Sequence, residues 1–253
     1  AILIVGLAAV CAMQWYQIRK LKKKNQEMEE RMRETDMSIM LSQIQPHFLY
    51  NSLSAIRELC LEEPEEAPRA LEEFSAFLRG NMDSLRSKVP VPFCRELEHV
   101  KHYLHLEQIR FGDDLHIEYD IQEEDFFLPT LTIQPIVENA ILHGIEKKKE
   151  MGRIQIHAIV REGTLEIRVT DDGIGMQPDR LMRFRESIMS DEISGKHIGM
   201  RNVHRRIQLH FGEAYGLKID SEWQKGTTVT ILLPVEEVDQ AKEVTEDENR
   251  NCR

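Results

Sequence analysis

A proline set directly ahead of a histidine, inside an otherwise helical stretch, narrows this chain's options more than any other feature. The run is Gln43-Ile44-Gln45-Pro46-His47-Phe48-Leu49-Tyr50-Asn51-Ser52. It continues an apolar frame that steps by three and four through Ile18, Leu21, Asn25, Met28, Met32, Thr35 and Ile39, then Leu49, Leu53, Ile56 and Cys60. Ser42 and Pro46 are its poorest members. Such a/d spacing predicts a coiled-coil signalling helix over 18–42, and Asn25 at an a-type position favours a two-stranded, in-register homodimer. In that frame His47 takes a b position, beside the seam and facing solvent.

The stretch Glu62 to Pro68 is rich in Glu and Pro and should break the helix. A second helix is predicted from about Arg69 to Leu85, with Leu71, Phe74, Leu78 and Leu85 on one face. Two helices per chain, dimerised, make a four-helix bundle. Val89-Pro90-Val91-Pro92 closes it, so 43–92 reads as a dimerisation and phosphotransfer unit. A third helix, about Arg95 to Arg110, leads into a domain covering 93–234. There His116–Ile121 reads as a strand and Leu131–Gly144 as a helix. Strands follow at Arg153–Val160 and Leu165–Thr170, a helix after Gly199, and strands at Leu217–Glu222 and Thr227–Leu233. Helices grouped with antiparallel strands predict an α+β fold, an α/β sandwich behind a helical bundle.

The two ends differ from the middle. Ala1 to Met13 is apolar, Trp15 and Tyr16 follow, and Arg19, Lys20, Lys22, Lys23 and Lys24 come next. An aromatic belt followed by cations is how a transmembrane helix ends on its cytoplasmic side, whereas a signal peptide carries its charges ahead of the apolar run. Residues 1–17 are therefore expected to end a membrane helix, anchoring the chain at the cell membrane with the rest in the cytoplasm. The tail 235–253 is polar and mostly acidic, and is expected to be disordered. The net charge of −11 argues against nucleic acid as a partner. Cys11, Cys60, Cys94 and Cys252 are scattered without metal-site spacing, and reduced thiols are the expectation.

His47 carries the sharpest chemical reading. A neutral imidazole is a good nucleophile near neutral pH, and an exposed helical one can attack a phosphoryl group in line. Asn51 stands one turn along the same face. Further on come Pro135-Ile136-Val137-Glu138-Asn139-Ala140-Ile141-Leu142-His143-Gly144 and Asp171-Asp172-Gly173-Ile174-Gly175. A lone Asn on a helix more often lines an interface, and an Asp-Gly turn is common in any hairpin. Their order after His47 is what gives them weight. His99, His102 and His105 recur every third residue, but no carboxylate or thiolate completes a metal set in the sequence.

These three segments together resemble the sensor histidine kinases, the LytS/YesM type most of all. The domain behind them resembles the ATP-binding fold shared by gyrase, the Hsp90 chaperones, histidine kinases and MutL. The resemblance covers Gln43 to Pro234. It implies ATP and Mg²⁺. Asn139 matches the family's Mg²⁺-ligating asparagine, with His143 one turn on in the same site, and Asp171 matches the adenine-binding aspartate. Gly173 and Gly175 are expected to let the backbone approach the ligand, and Thr227, after Gly226, resembles the third glycine box. A lid is implied over 177–198, ending in Gly195-Lys196-His197-Ile198-Gly199. There Gly195 and Gly199 keep the glycine pattern, while His197 stands where a middle glycine often does. Gly199 opens a helix whose N-terminal amides suit phosphate oxygens.

The resemblance further implies phosphoryl transfer from ATP to His47 and then to an aspartate of a response regulator. Asn51 is placed to orient water for the opposing phosphatase reaction. Phe48 stands where many histidine kinases carry an acidic base, as in the LytS/YesM type, so the proton acceptor is unassigned. Lys147, Lys148 and Lys149 read as a solvated loop. Two other functions compete. A hydrolase of the gyrase kind carries a glutamate four residues before the asparagine; here Pro135 occupies that position and cannot act as a base. A dimeric scaffold that binds ATP without transferring phosphate is kept open by His197 and Phe48.

Overall fold

The structure, a computed structural model, describes Trp15 and residues 46–86, 89–189 and 198–235. The expected membrane end, coiled coil and acidic tail lie outside these residues, apart from Trp15 and Val235. Among the described residues no helix is long and apolar enough to cross a membrane. The chain divides into two compact units, Ala1–Tyr50 and Asn51–Arg253.

Helix α1, Pro46–Glu62, carries His47 on an exposed face. The expected seam is only partly buried: Ile56 is covered, but Leu53 is about half exposed and Cys60 is exposed. Phe48 and Ser52 are buried at one-turn intervals before Ile56, so the covered stripe meets the heptad seam only at Ile56. Leu53 and Leu61 face solvent in this single chain.

Helix α2, Ala67–Arg86, buries Ala67, Ala70, Phe74 and Phe77, whereas Leu71 of the expected face is exposed. The reason is the neighbour it meets. Phe77 stacks parallel on His99 at 5.2 Å and tilts against Tyr103 at 5.9 Å, both on helix α3, Phe93–Phe111. Between the two helices, strand β1, Val91–Pro92, pairs antiparallel with β3, Phe127–Leu128. The three histidines spaced every third residue on α3 make other contacts. His99 lies on Phe77, His102 Nδ1 bonds Glu73 of α2, and His105 Nδ1 is 3.7 Å from the same carboxylate. Cys60 is free and exposed.

The main sheet has five strands in the order β2-β4-β5-β7-β6. They are β2 Leu115–Ile121, β4 Gly152–Arg161, β5 Thr164–Asp171, β6 Gly216–Glu222 and β7 Gly226–Pro234. These five strands were expected within a residue or two, whereas the short β1 and β3 were not. The β2–β4 pair is parallel and the rest antiparallel, so the sheet is mixed rather than antiparallel. Strand alternation sets the core: Ile154, Ile156 and Ala158 on β4, Leu165, Ile167 and Val169 on β5, and Val229, Ile231 and Leu233 on β7 are buried. Packed with this layer are α4, Gln134–Asn139, its continuation as a π-turn over Ala140–Ile145, α5, Pro178–Met189, and α6, Ile198–Phe211. The predicted helix over 131–144 thus begins three residues late and changes its winding at Ala140.

Candidate functional site

Asp171 is the last residue of β5 and continues the inward row Leu165, Ile167, Val169. Period-two alternation therefore delivers a carboxylate to a position where apolar side chains precede it. Its cross-strand partner is Thr227 on β7. Burial pushes the Asp171 carboxyl up to about 7, although backbone N–H groups of Gly173 and Thr227 pull the other way. The Gly173 N–H donates to Asp171 Oδ1 at 2.9 Å.

Asp171 opens onto a partly enclosed cleft with both apolar and polar lining. Ile136, Val169, Phe184, Met200 and Val229 form apolar walls; Asn139, His143, Asp171 and Thr227 are the polar groups expected there, and Gly175 also lines it. The sequence separates these residues widely, and the fold brings all of them to one cavity. Thr227 Oγ1 lies 2.9 Å from Ser221 Oγ, which also receives the Met176 N–H at 2.9 Å, so the strand end and the turn after Gly175 are tied together. Gly199 lies in the first turn of α6, exposed, and Gly195 lies outside the described residues.

Asn139 ends α4. Its Nδ2 donates to the Pro135 carbonyl at 2.5 Å, which leaves Oδ1 as the amide's acceptor atom. Pro135 thus contributes a carbonyl where a hydrolase would need a glutamate. His143 follows on the π-turn, closed by the i→i+5 bond from Glu146 N–H to Ile141 O at 2.8 Å. Such turns recur at functional sites. Close packing of the protein's own backbone also requires both glycines of the turn. A Cβ on Gly173 would meet Gly144 Cα at 2.3 Å, and one on Gly175 would meet the Glu222 carbonyl at 1.9 Å. Neighbouring backbone fills the space above both.

The donor set fits Mg²⁺ and a purine. A single hard amide oxygen, beside a site open to phosphates and water, satisfies a cation that keeps much of its own hydration. A buried carboxylate among apolar walls suits an exocyclic amine.

Comparison with known proteins gives the family. The profile described as "Histidine kinase" matches residues 35–115, and that described as "Histidine kinase-, DNA gyrase B-, and HSP90-like ATPase" matches 129–237. The chain is 35% identical over 204 residues to the YwpD protein of Bacillus subtilis (strain 168), covering 80% of this chain and 71% of YwpD. It belongs to the histidine kinase family. Sensor histidine kinase YpdA of Escherichia coli (strain K12) is 33% identical over 87% of this chain and 38% of YpdA. Sensor protein LytS of Bacillus cereus is 30% identical over 80% of this chain and 34% of LytS. The chain thus spans little more than a third of those two sensor proteins.

This member of the histidine kinase family holds its Asn139 helix with residues that no motif announced. Glu96 of α3 is buried and its carboxylate accepts the N–H groups of Leu131, Thr132 and Ile133 at 2.6, 3.0 and 3.3 Å. Burial raises its pKa, opposed by those three bonds and by the Arg206 charge. At the far end Arg110 of α3 reaches Glu146 at 3.0 Å and Glu107 at 2.6 Å. Glu96 carries one sequence signal, a charge at an apolar-phase position between Phe93 and Leu97. Lys148, expected in a solvated loop, instead pairs with Asp172 at 3.0 Å, while Asp172 Oδ1 takes the Arg153 N–H at 2.7 Å.

Proposed function

We propose that this chain is the kinase portion of a membrane-anchored sensor histidine kinase that binds ATP in the Asp171–Asn139 cleft and phosphorylates its own His47. The observation that carries this is the convergence of Asp171, Asn139, His143 and Thr227 on one cavity in a chain of this family. In this reading Asp171 accepts the adenine amino group, and the apolar walls exclude water from the base. Asn139 Oδ1 and the substrate phosphates would hold Mg²⁺, which when bound neutralises charge on the phosphoryl oxygens. Thr227 supports the Asp171 contact from the neighbouring strand.

His47 supplies the nucleophile. Its solvent exposure suits a residue that must meet ATP and then a response-regulator aspartate. Asn51, one turn on in α1, is the candidate for positioning water in dephosphorylation. The exposed Leu53 and Leu61 of α1 support a homodimer of the kind the heptad frame predicts. The bundle at 43–92, the catalytic domain at 93–234 and the membrane helix ending near residue 17 belong to the same proposal.

The test is to incubate the full chain with γ-labelled Mg-ATP beside a His47→Gln variant. Acid-labile, alkali-stable label on the wild type alone supports the reading. Label on both variants moves the acceptor elsewhere. ATP binding without label favours the scaffold.

A further inference from the structure

The turn that launches the Asn139 helix is held from two sides, by the buried Glu96 and the half-buried Arg206. From α3, the Glu96 carboxylate gathers three successive backbone N–H groups, those of Leu131, Thr132 and Ile133. From α6, Arg206 donates to the carbonyls of Thr130 at 2.6 Å and Leu131 at 3.4 Å. Between them Leu131 takes φ 56, a left-handed conformation that a branched residue adopts only when its surroundings impose it. The first N–H groups of a helix have no intrahelical acceptor, and here an anion from another helix satisfies those leading into α4. Asn139 is tied to the same end of that helix, because its Nδ2 bonds the Pro135 carbonyl.

We propose that Glu96, opposed by Arg206, is a positioning residue for Asn139: by fixing the 130–133 turn it sets where the Asn139 amide oxygen stands in the cleft, and so the Mg²⁺-dependent part of nucleotide binding. This rests on the reading of the cleft as an ATP site. Glu96 itself lies outside the residues lining the cleft, so its effect passes through the backbone.

The experiment compares the full chain with Glu96→Gln, Arg206→Lys and Asn139→Ala, measuring Kd for Mg-ATP, for ATP in EDTA and for adenosine. Amide hydrogen exchange at residues 131–133 is followed without ligand. Glutamine keeps the shape of the side chain but replaces an acceptor oxygen with a donor. Glu96→Gln is expected to lose protection at 131–133 and to weaken Mg-ATP binding by about tenfold, as supporting residues around a metal ligand typically do. Adenosine affinity should stay at the wild-type value, reproducing the pattern of Asn139→Ala. A generally loosened fold would weaken adenosine and Mg-ATP together, and that result overturns the proposal. So does unchanged Mg-ATP affinity despite lost protection. If Glu96→Gln fails to fold, Arg206→Lys carries the same comparison, since it keeps the charge but loses the two-carbonyl grip. Asn139→Ala with unaltered Mg²⁺ dependence, or a wild-type chain that binds no nucleotide, would instead sink the underlying ATP-site reading.

Discussion

Gly144 lies against the carboxylate of Asp171: a Cβ built on Gly144 would stand 2.5 Å from Asp171 Oδ1. The last turn of the Asn139 helix and the end of β5 are therefore in direct contact, and the Ile174 N–H adds a bond to the Gly144 carbonyl at 3.3 Å. Gly144→Ala should displace Asp171. Overpacking of this kind costs about 1–3 kcal/mol, and chemical denaturation will show it. Adenosine and Mg-ATP should weaken alike, since the base contact is lost in both.

Asp171 and Asp172 are neighbours with opposite duties. Asp171→Asn removes the charge and replaces one acceptor oxygen of the buried site with a donor, and adenine nucleotide affinity should fall by about ten- to a hundredfold, the worth of a charged hydrogen bond. Asp172→Ala releases the Arg153 N–H and the partly exposed Lys148. It should cost about 1 kcal/mol of stability with nucleotide affinity unchanged. Calorimetric titration of both variants checks the contrast.

The pH response has two opposing arms. The folded pKa of Asp171 is raised from 3.8 to about 7, chiefly by burial. Its contribution to stability is thus complete below 3.8 and is lost as pH rises through 7. For His99 the folded pKa is lowered from 6.5 to about 4, again chiefly by burial. Its contribution is present above 6.5 and is lost as pH falls toward 4. Asp171→Asn should therefore gain stability over the ligand-free wild type as pH rises from 5 to 8. His99→Gln should flatten the acid arm. Denaturant melts across that range decide both.

Phe77 sets the seat of α2 on α3. It is 1% exposed and stacked on His99. Phe77→Ala should destabilise the chain by about 3–5 kcal/mol, while Leu71→Ala on the exposed flank of α2 should change it by less than about 0.5 kcal/mol. Thermal denaturation of the two variants tests which face is buried.

How far the sequence could be read depended on whether a feature was local. Strands β4, β5 and β7 alternate every second residue, so their borders and the inward placement of Asp171 were legible from pattern alone. The face of α2 was not, because Leu71 and Phe77 are equally apolar and only the arrival of His99 and Tyr103 chooses between them. The same holds for the covered stripe of α1 and for the parallel β2–β4 pair, which depend on what packs alongside.

In the cleft, motifs that resemble those of histidine kinases pointed to Asn139, His143, Asp171, Gly175 and Thr227, because those motifs are short stretches of sequence. Glycine's purpose at 173 and 175 emerged only when Gly144 and Glu222 proved to fill the space above them. Arg206 was silent and Glu96 showed only as a charge at an apolar-phase position, since a charge is recognised as a clamp only once 130–133, α3 and α6 meet. By itself the sequence determined the order of elements, carried by periodicity, and, through motifs that resemble those of histidine kinases, the family and the polar groups of the cleft. The tertiary structure decided which faces are buried, how Asp171 is desolvated and what holds Asn139 in place. Those are properties of contacts between residues far apart in the chain, and no local pattern encodes them.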